Sequence, residues 1–261
     1  MAELLVGFFK GKQDPRVVVD GGGVWKGKTR ITQVSTPVEA QETLTVFVSA
    51  SPQQQFILDP SQIILEHADW VVVNKPAALA TVSDHANLHW NLTAGVWAYL
   101  QAKGSRYQPT AINRLDIGVS GLVLFPKHKA AEKKLFALMQ ARKIAKRYTA
   151  ILGPHVPRPW VRISNYLLFT KKAQISESPA GKLAQSVFVW QKTVAEGEVY
   201  RVVIRTGRRH QIRVHAAHHL APIVGDTLYG SPAICGKTLC LVADYLKFWW
   251  RNVQYKIQLP E

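Results

Sequence analysis

The chain has 261 residues, 47% of them hydrophobic, which is enough for one large domain, or one domain and a small appendage, without a disulfide or metal staple. No window approaches 18 uninterrupted apolar residues, so a membrane span is excluded. Because no targeting segment is recognised and the chain has two cysteines, Cys235 and Cys240, a cytoplasmic location is expected. Lys and Arg total 33 against 17 Asp and Glu, a net charge of +16 that favours nucleic acid over an anionic membrane as the partner.

The first 59 residues are predicted to form a small β-rich extension. Its β segments are residues 17–19 and 44–48, with a glycine turn at residues 20–23. Residues 49–60 hold Pro52, Pro60 and three consecutive glutamines, which is typical of a linker. The predicted domain organisation is therefore an extension at residues 1–59 and a catalytic domain at residues 60–261.

The remaining chain alternates strand and helix patterns. Residues 63–76 read as two strands with a turn at residues 67–69, and Pro76 ends the second strand because proline cannot donate to a ladder. The fold class predicted is α+β, with a mixed, mainly antiparallel sheet and flanking helices. The other predicted strands are residues 121–125, 147–152, 187–190, 199–206, 239–249 and 253–259, and the predicted helices are residues 92–102, 129–142 and 211–219.

Four segments concentrate reactive side chains. The first, residues 113–122 (NRLDIGVSGL), places the Asp116 carboxylate on a turn between apolar flanks. The second, residues 146–150 (KRYTA), has a tyrosine in a basic and apolar strand. The third, residues 207–215 (GRRHQIRVH), packs three arginines and two histidines after a glycine, and the fourth, residues 222–230 (PIVGDTLYG), contains a Gly-Asp turn.

At these residues the chain resembles the RluA family of RNA pseudouridine synthases. The family motif His-Arg-Leu-Asp is present with Asn113 in place of histidine, and residues 71–76 (VVVNKP) resemble the family's first motif. The matches occur in family order between about residue 63 and residue 249. The resemblance implies isomerisation of a specific uridine to pseudouridine in rRNA or tRNA, without a cofactor or metal.

The resemblance also assigns catalytic roles. It implies that Asp116 acts on the sugar C1′ or on its C2′ hydrogen, that Arg213 pairs with this aspartate, and that Tyr148 stacks on the flipped base. A bidentate guanidinium would orient Asp116 and keep it charged. Taken without the motif, each of these residues also suits a structural role, as an ordinary ion pair or a core tyrosine.

RNA contacts are expected from a second group of residues. Arg114 is the candidate to fill the gap that the flipped base leaves in the RNA. The partner expected is a structured RNA stem-loop, bound by a monomer, and the extension loosely resembles a degenerate S4-type RNA-binding module. The other residues predicted to bind RNA are Lys75, Asn113, Arg208, His210 and Gln211.

Three alternatives stay open. Because asparagine cannot titrate near neutral pH, Asn113 raises the possibility of a catalytically silent RNA-binding protein on the same fold. A glycoside hydrolase would need a second carboxylate, and Asp226 is better explained by its Gly-Asp turn. A zinc site would draw on His210, His215, His218 and His219, with Cys235 and Cys240, but two of these histidines fall inside a motif of a family that binds no metal.

Overall fold

The computed structural model describes residues 5–7, 14–20, 23–39, 41–46, 55–83, 89–154, 156–169, 173–176, 180–232 and 238–260. The chain divides into two compact units: Met1–Pro60 with Leu79–Pro109, and Ser61–Ala78 with Thr110–Glu261. Compactness does not establish which segments fold by themselves, so the domain boundary between residues 59 and 60 stays a prediction. No helix in the described ranges has the length and apolar character needed to cross a membrane.

The first unit contains a three-stranded antiparallel sheet, in which Val24–Lys26 is the middle strand between Thr29–Arg30 and Leu44–Val46. Its small core gathers Leu5, Val18, Val19, Val24 and Ile31. Asn91 caps the longer helix, since its side-chain oxygen accepts a hydrogen bond from the Ala94 amide at 3.0 Å. The elements are α1 (Pro15–Asp20), β1 (Val24–Lys26), β2 (Thr29–Arg30), β3 (Leu44–Val46) and α2 (Leu92–Ala102).

The strand predicted at residues 17–19 is wrong, because these residues lie in α1. The carboxylate of Asp14 accepts a hydrogen bond from the Arg16 amide at 2.9 Å, just ahead of the helix. Pro15 takes the first helical position, where a missing N–H costs nothing. A capping aspartate followed by proline is a helix start, and here it outweighs the strand preference of three valines.

The second unit is built on a ten-stranded sheet. In chain order the strands are β4 (Ile63–Glu66), β5 (Trp70–Lys75), β6 (Ser120–Pro126), β7 (Ala145–Leu152), β8 (Trp160–Phe169), β9 (Ala173–Ser176), β10 (Lys182–Val194), β11 (Gly197–Ile204), β12 (Leu241–Trp250) and β13 (Val253–Gln258). Their order in the sheet is β4-β5-β6-β12-β7-β11-β10-β8-β9, with β13 paired to β12. Every pairing is antiparallel except that between β6 and β12, so the predicted α+β fold with a mixed, mainly antiparallel sheet is confirmed.

In the described part of this unit there are two α-helices, α3 (Lys129–Gln140) and α4 (Gln211–His219), and both were predicted. Strands β8 and β9 were not predicted. Strand β8 alternates buried and exposed positions, with polar residues such as Arg162 and Ser164 on its exposed face, and β9 has only four residues. An antiparallel strand with one solvated face gives a weaker apolar signal than a buried one.

The main core lies between α3 and the central strands. Trp70, Leu122, Leu124, Leu135 and Phe248 belong to one cluster and are almost completely buried. The amphipathic pattern of α3 accounts for this contact, because its apolar side must be removed from water. This packing holds β6 and the loop that precedes it against the rest of the sheet.

Asp69, which is 5% exposed, ties several of these elements together. Its carboxylate accepts hydrogen bonds from the Trp250 indole at 2.8 Å and from His128 Nε2 at 2.9 Å, and it lies 3.0 Å from Arg251. His128 also caps α3 by accepting from the Ala131 amide through Nδ1. Burial alone would raise the pKa of Asp69, but the bonds from His128 and Trp250 outweigh it and lower the pKa.

Gly121 allows the two parallel strands to meet beside the Asp116 loop. Its φ is +116°, and a Cβ built on it would lie 2.3 Å from the Ala243 carbonyl oxygen. Any side chain would therefore push β12 away from β6. This close approach fixes where the loop at residues 113–119 leaves the sheet.

Candidate active site

Asp116 lies on the loop before β6, in a turn closed by a hydrogen bond from the Val119 amide to the Asp116 carbonyl at 3.0 Å. Its side chain is 28% exposed, so it faces a partly solvated space. One carboxylate oxygen, Oδ2, lies 3.7 Å from Arg213 Nη1 and 3.7 Å from His210 Nε2. The carboxylate thus has two nitrogen groups close by, each slightly beyond hydrogen-bond distance.

Arg213 makes its strongest contact with a different carboxylate. Its Nε and Nη2 donate to the two oxygens of Asp226, each at 2.7 Å, and the Asp226 side chain is fully buried. The prediction that Arg213 forms a bidentate pair with Asp116 is therefore wrong, because the bidentate partner is Asp226. Asp226 occupies the Nε–Nη2 edge of the guanidinium, so Nη1 is the nitrogen that approaches Asp116.

The electrostatics of Arg213 follow from this geometry. Burial lowers the pKa of the guanidinium, but the hydrogen bonds and charge of Asp226, together with Asp116, more than offset burial and raise the pKa. Arg213 therefore stays charged, and its third nitrogen Nη1 remains directed toward Asp116.

The Gly-Asp turn predicted at residues 225–226 is what positions Asp226. Gly225 has φ +81°, and a Cβ there would lie 2.5 Å from the Thr238 carbonyl oxygen. Only glycine fits this conformation in this space. Because Asp226 is buried against Arg213, it does not face the cavity as the second carboxylate that a glycoside hydrolase would need.

His210 precedes α4 with φ +56°, an uncommon conformation for a residue with a side chain. Its Nδ1 lies 3.0 Å from the Tyr229 hydroxyl, and that hydroxyl accepts a hydrogen bond from the Ala173 amide. Burial lowers the pKa of His210, and the attraction of Asp116 does not reverse this, so the ring is neutral at pH 7. If the Tyr229 hydroxyl donates to Nδ1, the His210 proton is on Nε2 and faces Asp116.

Tyr148 is buried in β7, opposite Val202 of β11. Burial raises the pKa of its hydroxyl, and the nearby charge of Asp116 raises it further, so the phenol is neutral. Successive strand residues point to opposite faces, and the neighbouring Arg147 accordingly pairs with Asp244 at 2.8 Å instead of facing Asp116. The structure therefore brings Asp116, Tyr148 and Arg213 together, as predicted.

The cavity around these residues has a volume of about 950 Å³. Among the described residues that line it, Asp116 is the one carboxylate, in a wall that is otherwise cationic. Arg114 is exposed at this wall, and Arg208 is exposed while its Nε donates to the Leu183 carbonyl at 2.9 Å. The cationic residues are the arginines at 114, 142, 205, 208, 209 and 213 and Lys146.

Lys75 is placed differently from the expected RNA contact, since it is completely buried. Its ammonium donates to the carbonyls of Pro76 at 2.9 Å and Ile117 at 3.2 Å. Burial lowers the pKa of Lys75 to about 8, although the charge of Asp116 acts to raise it. Lys75 therefore supports the Asp116 loop from inside the protein, and a direct RNA contact does not fit its position.

Gln211 is also an internal residue, only 3% exposed. Its side-chain oxygen accepts from the Thr206 hydroxyl at 2.8 Å and from the Arg208 amide at 3.1 Å. Its amide nitrogen donates to the Gln185 carbonyl and to Ser186 Oγ, each at 2.9 Å. With all its polar capacity used inside the protein, Gln211 holds the start of α4 against β10 instead of binding RNA.

Asn113 is 7% exposed and is bound to strand β6. Its amide nitrogen donates to the Leu122 carbonyl at 3.0 Å, and its amide oxygen accepts from the Leu124 amide at 3.0 Å. This pair of bonds copies what a neighbouring strand would supply. The geometry indicates that Asn113 shapes the loop that carries Asp116.

The histidines do not form a metal site within the described residues, where no group of three His, Cys, Asp or Glu side chains is placed to hold an ion. Cys235 lies outside those residues. His215 is completely buried, with Nδ1 3.0 Å from Ser186 Oγ.

Two members of the site were not assigned from the sequence, Asp226 as the Arg213 partner and Tyr229 as the His210 partner. Both lie in the fourth motif, residues 222–230, whose aspartate and tyrosine were noted without a role. Their spacing from Asp116 in the chain gives no indication of contact. A buried arginine requires an acidic partner, and that requirement was the available signal.

Fold and site together define a mixed, mainly antiparallel α+β protein with a basic cleft built around a single carboxylate. The family model described as RNA pseudouridylate synthase matches residues 69–218, more than half of the chain. The chain belongs to this family, and the resemblance drawn from the motifs is confirmed.

Individual relatives agree with this membership. Ribosomal large subunit pseudouridine synthase D of Vibrio cholerae is 30% identical over 218 residues, which cover 78% of this chain and 64% of the relative. The protein of the same name from Escherichia coli strain K12 is 29% identical over 226 residues, or 83% and 65% of the two chains. The chain thus spans slightly less than two thirds of the length of these relatives.

Solved structures show the same fold. The human RNA Pseudouridylate Synthase Domain Containing 4 has a TM-score of 0.65 at 17% identity, covering 77% of this chain and 88% of that one. The human RNA Pseudouridylate Synthase Domain Containing 1 has a TM-score of 0.62 at 23% identity, covering 77% and 83%.

Proposed function

We propose that this protein isomerises uridine to pseudouridine in structured RNA, with Asp116 as the catalytic carboxylate. The observation that carries the proposal is the single carboxylate of Asp116 in a cationic cavity, 3.7 Å from Arg213 and from His210. Membership of the RNA pseudouridylate synthase family supports the same reaction.

The reaction breaks the C1′–N1 bond, rotates the uracil and forms a C1′–C5 bond, after which C5 loses a proton and N1 gains one. It needs no redox partner. Asp116 supplies the group that acts at C1′ or at the C2′ hydrogen. Arg213, held by Asp226, keeps its positive charge beside Asp116, with Nη1 3.7 Å from the carboxylate.

The target base must leave its stack, which costs a few kcal/mol, and an aromatic face offsets part of that cost. Tyr148 is the residue that would stack on the uracil, since it is buried beside Asp116 and its hydroxyl stays protonated. Exposed Arg114 and Arg208 would contact phosphates or occupy the space that the base leaves. The net charge of +16 makes such binding strongly salt-dependent.

The substrate proposed is rRNA or tRNA, bound by a monomer in the cytoplasm. Two named relatives act on the ribosomal large subunit according to their names, which makes large-subunit rRNA the first substrate to test. The silent RNA-binding alternative rested on Asn113. Because the amide of Asn113 supports the loop through two backbone bonds, loss of a titrating histidine there is compatible with catalysis.

The test is release of tritium from 5-tritiated uridine in large-subunit rRNA transcripts. The wild type should release tritium, and Asp116→Asn, which keeps the shape and removes the charge, should abolish release without weakening RNA binding. Full release by Asp116→Asn would contradict the assignment, and no release by the wild type from rRNA or tRNA would favour the silent alternative. Mapping pseudouridines in cells with and without the protein would then identify the uridine.

A further inference from the structure

An exposed aromatic–cation pair lies beside His210 at the edge of the cavity, where Arg209 belongs to the lining and Phe169 does not. Phe169 ends β8 with 39% of its surface exposed. The guanidinium carbon of Arg209, an exposed residue, lies 4.1 Å from the centre of the Phe169 ring. Neither residue takes part in the chemistry proposed above.

The pair is connected to the catalytic carboxylate through one residue. The rings of Phe169 and His210 meet edge to face, with centres 5.9 Å apart and planes at 82°. His210 in turn meets Tyr229 edge to face at 5.7 Å and places Nε2 3.7 Å from Asp116. The aromatic contacts orient the Phe169 ring, and the ring in turn attracts the Arg209 guanidinium above it.

With its carbon 4.1 Å from the ring centre, the guanidinium has the Phe169 ring on one side, and the exposure of Arg209 leaves the other side open to solvent. Nucleobases stack on such planes, and stacking tolerates any base because every base has a π face. A cation that only attracted phosphate would not need an aromatic ring behind it. The other cationic residues of the cavity wall supply the charge that brings the RNA backbone close.

We propose that Arg209, backed by Phe169, is a stacking platform for the base of a nucleotide adjacent to the flipped uridine. Arg209 contacts the base, and Phe169 is the residue that positions Arg209. The platform keeps the neighbouring nucleotide unpaired while the target base is in the cavity, and it makes the enzyme prefer uridines in single-stranded or loop RNA. This inference rests on the proposed function for the position of the stacked base next to the flipped uridine, although the stacking itself does not depend on turnover.

The test compares two labelled nine-nucleotide RNAs of equal charge, oligouridine and an oligomer of abasic nucleotides, by fluorescence anisotropy. In an Asp116→Asn background, binding is measured without turnover. The parent should prefer the base-bearing RNA by about tenfold or more. Arg209→Lys keeps the charge and loses the planar group, so it should bind the abasic RNA as the parent does and lower the preference by about fivefold or more, while stacking on Tyr148 supplies the remainder. Phe169→Ala should have the same effect, and Phe169→Trp should keep the full preference.

Tyr166→Ala is the matched control, because Tyr166 lies on the same strand with 38% exposure but on the opposite face. It should leave the preference unchanged. The proposal is overturned if Phe169→Ala and Arg209→Lys keep the full preference, whether or not Phe169→Ala lowers the melting temperature. It is also overturned if Arg209→Ala weakens binding to both RNAs equally, which would make Arg209 a phosphate contact only. Tritium release by the wild type tests the isomerase proposal separately, so the two failures are distinguishable.

Discussion

Arg213 and Asp226 form a bidentate ion pair with both hydrogen bonds at 2.7 Å, while Asp116, the proposed catalytic carboxylate, lies 3.7 Å from the third guanidinium nitrogen. The buried aspartate therefore fixes the arginine, and the arginine presents its remaining donors to the cavity. Because Asp226 takes the bidentate contact, the carboxylate of Asp116 stays available to react while the Arg213 cation remains beside it. A single bidentate pair between Arg213 and Asp116 would have tied up the carboxylate oxygens instead.

The first prediction concerns the way in which Asp226 holds Arg213 beside Asp116. Asp226→Asn should leave the Arg213 charge without its buried partner, lower the free energy of unfolding by about 3 kcal/mol, and slow tritium release at least about tenfold. Arg213 would then be drawn to Asp116, and the geometry for attack would be lost. Single-turnover tritium release and urea unfolding measure the two effects.

The matched control for that variant is Asp244→Asn. Asp244 pairs with Arg147 at 2.8 Å, outside the lining of the cavity. It should lower stability without changing the single-turnover rate per folded molecule. Equal rates for Asp226→Asn and the wild type would contradict the role given to Asp226.

The second prediction concerns Asn113. Asn113→Ala should leave the Leu122 carbonyl and the Leu124 amide unsatisfied in the interior and lower the free energy of unfolding by about 2 kcal/mol. The single-turnover rate should fall because the Asp116 loop loosens, whereas Asn113→His should restore part of the activity if the ring reaches the same backbone groups. Arg114→Ala, at the exposed neighbouring position, should weaken RNA binding but leave the melting temperature unchanged.

The third prediction is a dependence of stability on pH. Burial, with the charges of His219 and His218, lowers the pKa of His215 from 6.5 to about 4. Between pH 6.5 and 4 the unfolded chain binds this proton and the folded chain does not, so stability falls as the pH falls through that window. The 2.5-unit difference corresponds to about 3 kcal/mol at the acid end.

His215→Gln removes this titration and should flatten the pH dependence of the free energy of unfolding between pH 4 and 6.5. Urea unfolding at half-unit pH steps provides the measurement. His218→Gln, at an exposed position on the same helix, should change the slope little. An unchanged slope in His215→Gln would mean that other groups account for the acid sensitivity.

The fourth prediction concerns the Asp69 network, which lies outside the proposed chemistry. Asp69→Ala should leave the Trp250 indole N–H without its 2.8 Å acceptor and remove the partner of His128, lowering the free energy of unfolding by about 3 kcal/mol. Trp250→Phe combined with Asp69→Ala should cost less than the sum of the two single changes. Additive losses would show that the two side chains do not act as one unit.

Strand and helix positions in the second unit followed from local patterns. The buried run before Pro76, the amphipathic period of residues 129–142 and the alternation in β10 and β11 each predicted the observed element, because burial on one face imposes its period on the sequence. Strand β8 was not predicted because its exposed face carries polar residues. The valines of α1 were wrongly predicted as a strand because the helix start at Asp14 and Pro15 outweighed their strand preference.

The sequence alone identified Asp116 as the candidate carboxylate and gave the order of the motifs around it, since motif residues and their order are properties of the chain. Which atoms meet was decided by the tertiary structure. Asp226 and Arg213 lie on a turn and a helix whose relative placement depends on Gly225 and on burial, so their bidentate pair has no local signature. The same holds for Lys75, Asn113 and Gln211. Charge and polarity suggested contact with RNA, yet close packing turned each side chain inward, where burial required an internal partner for every polar group.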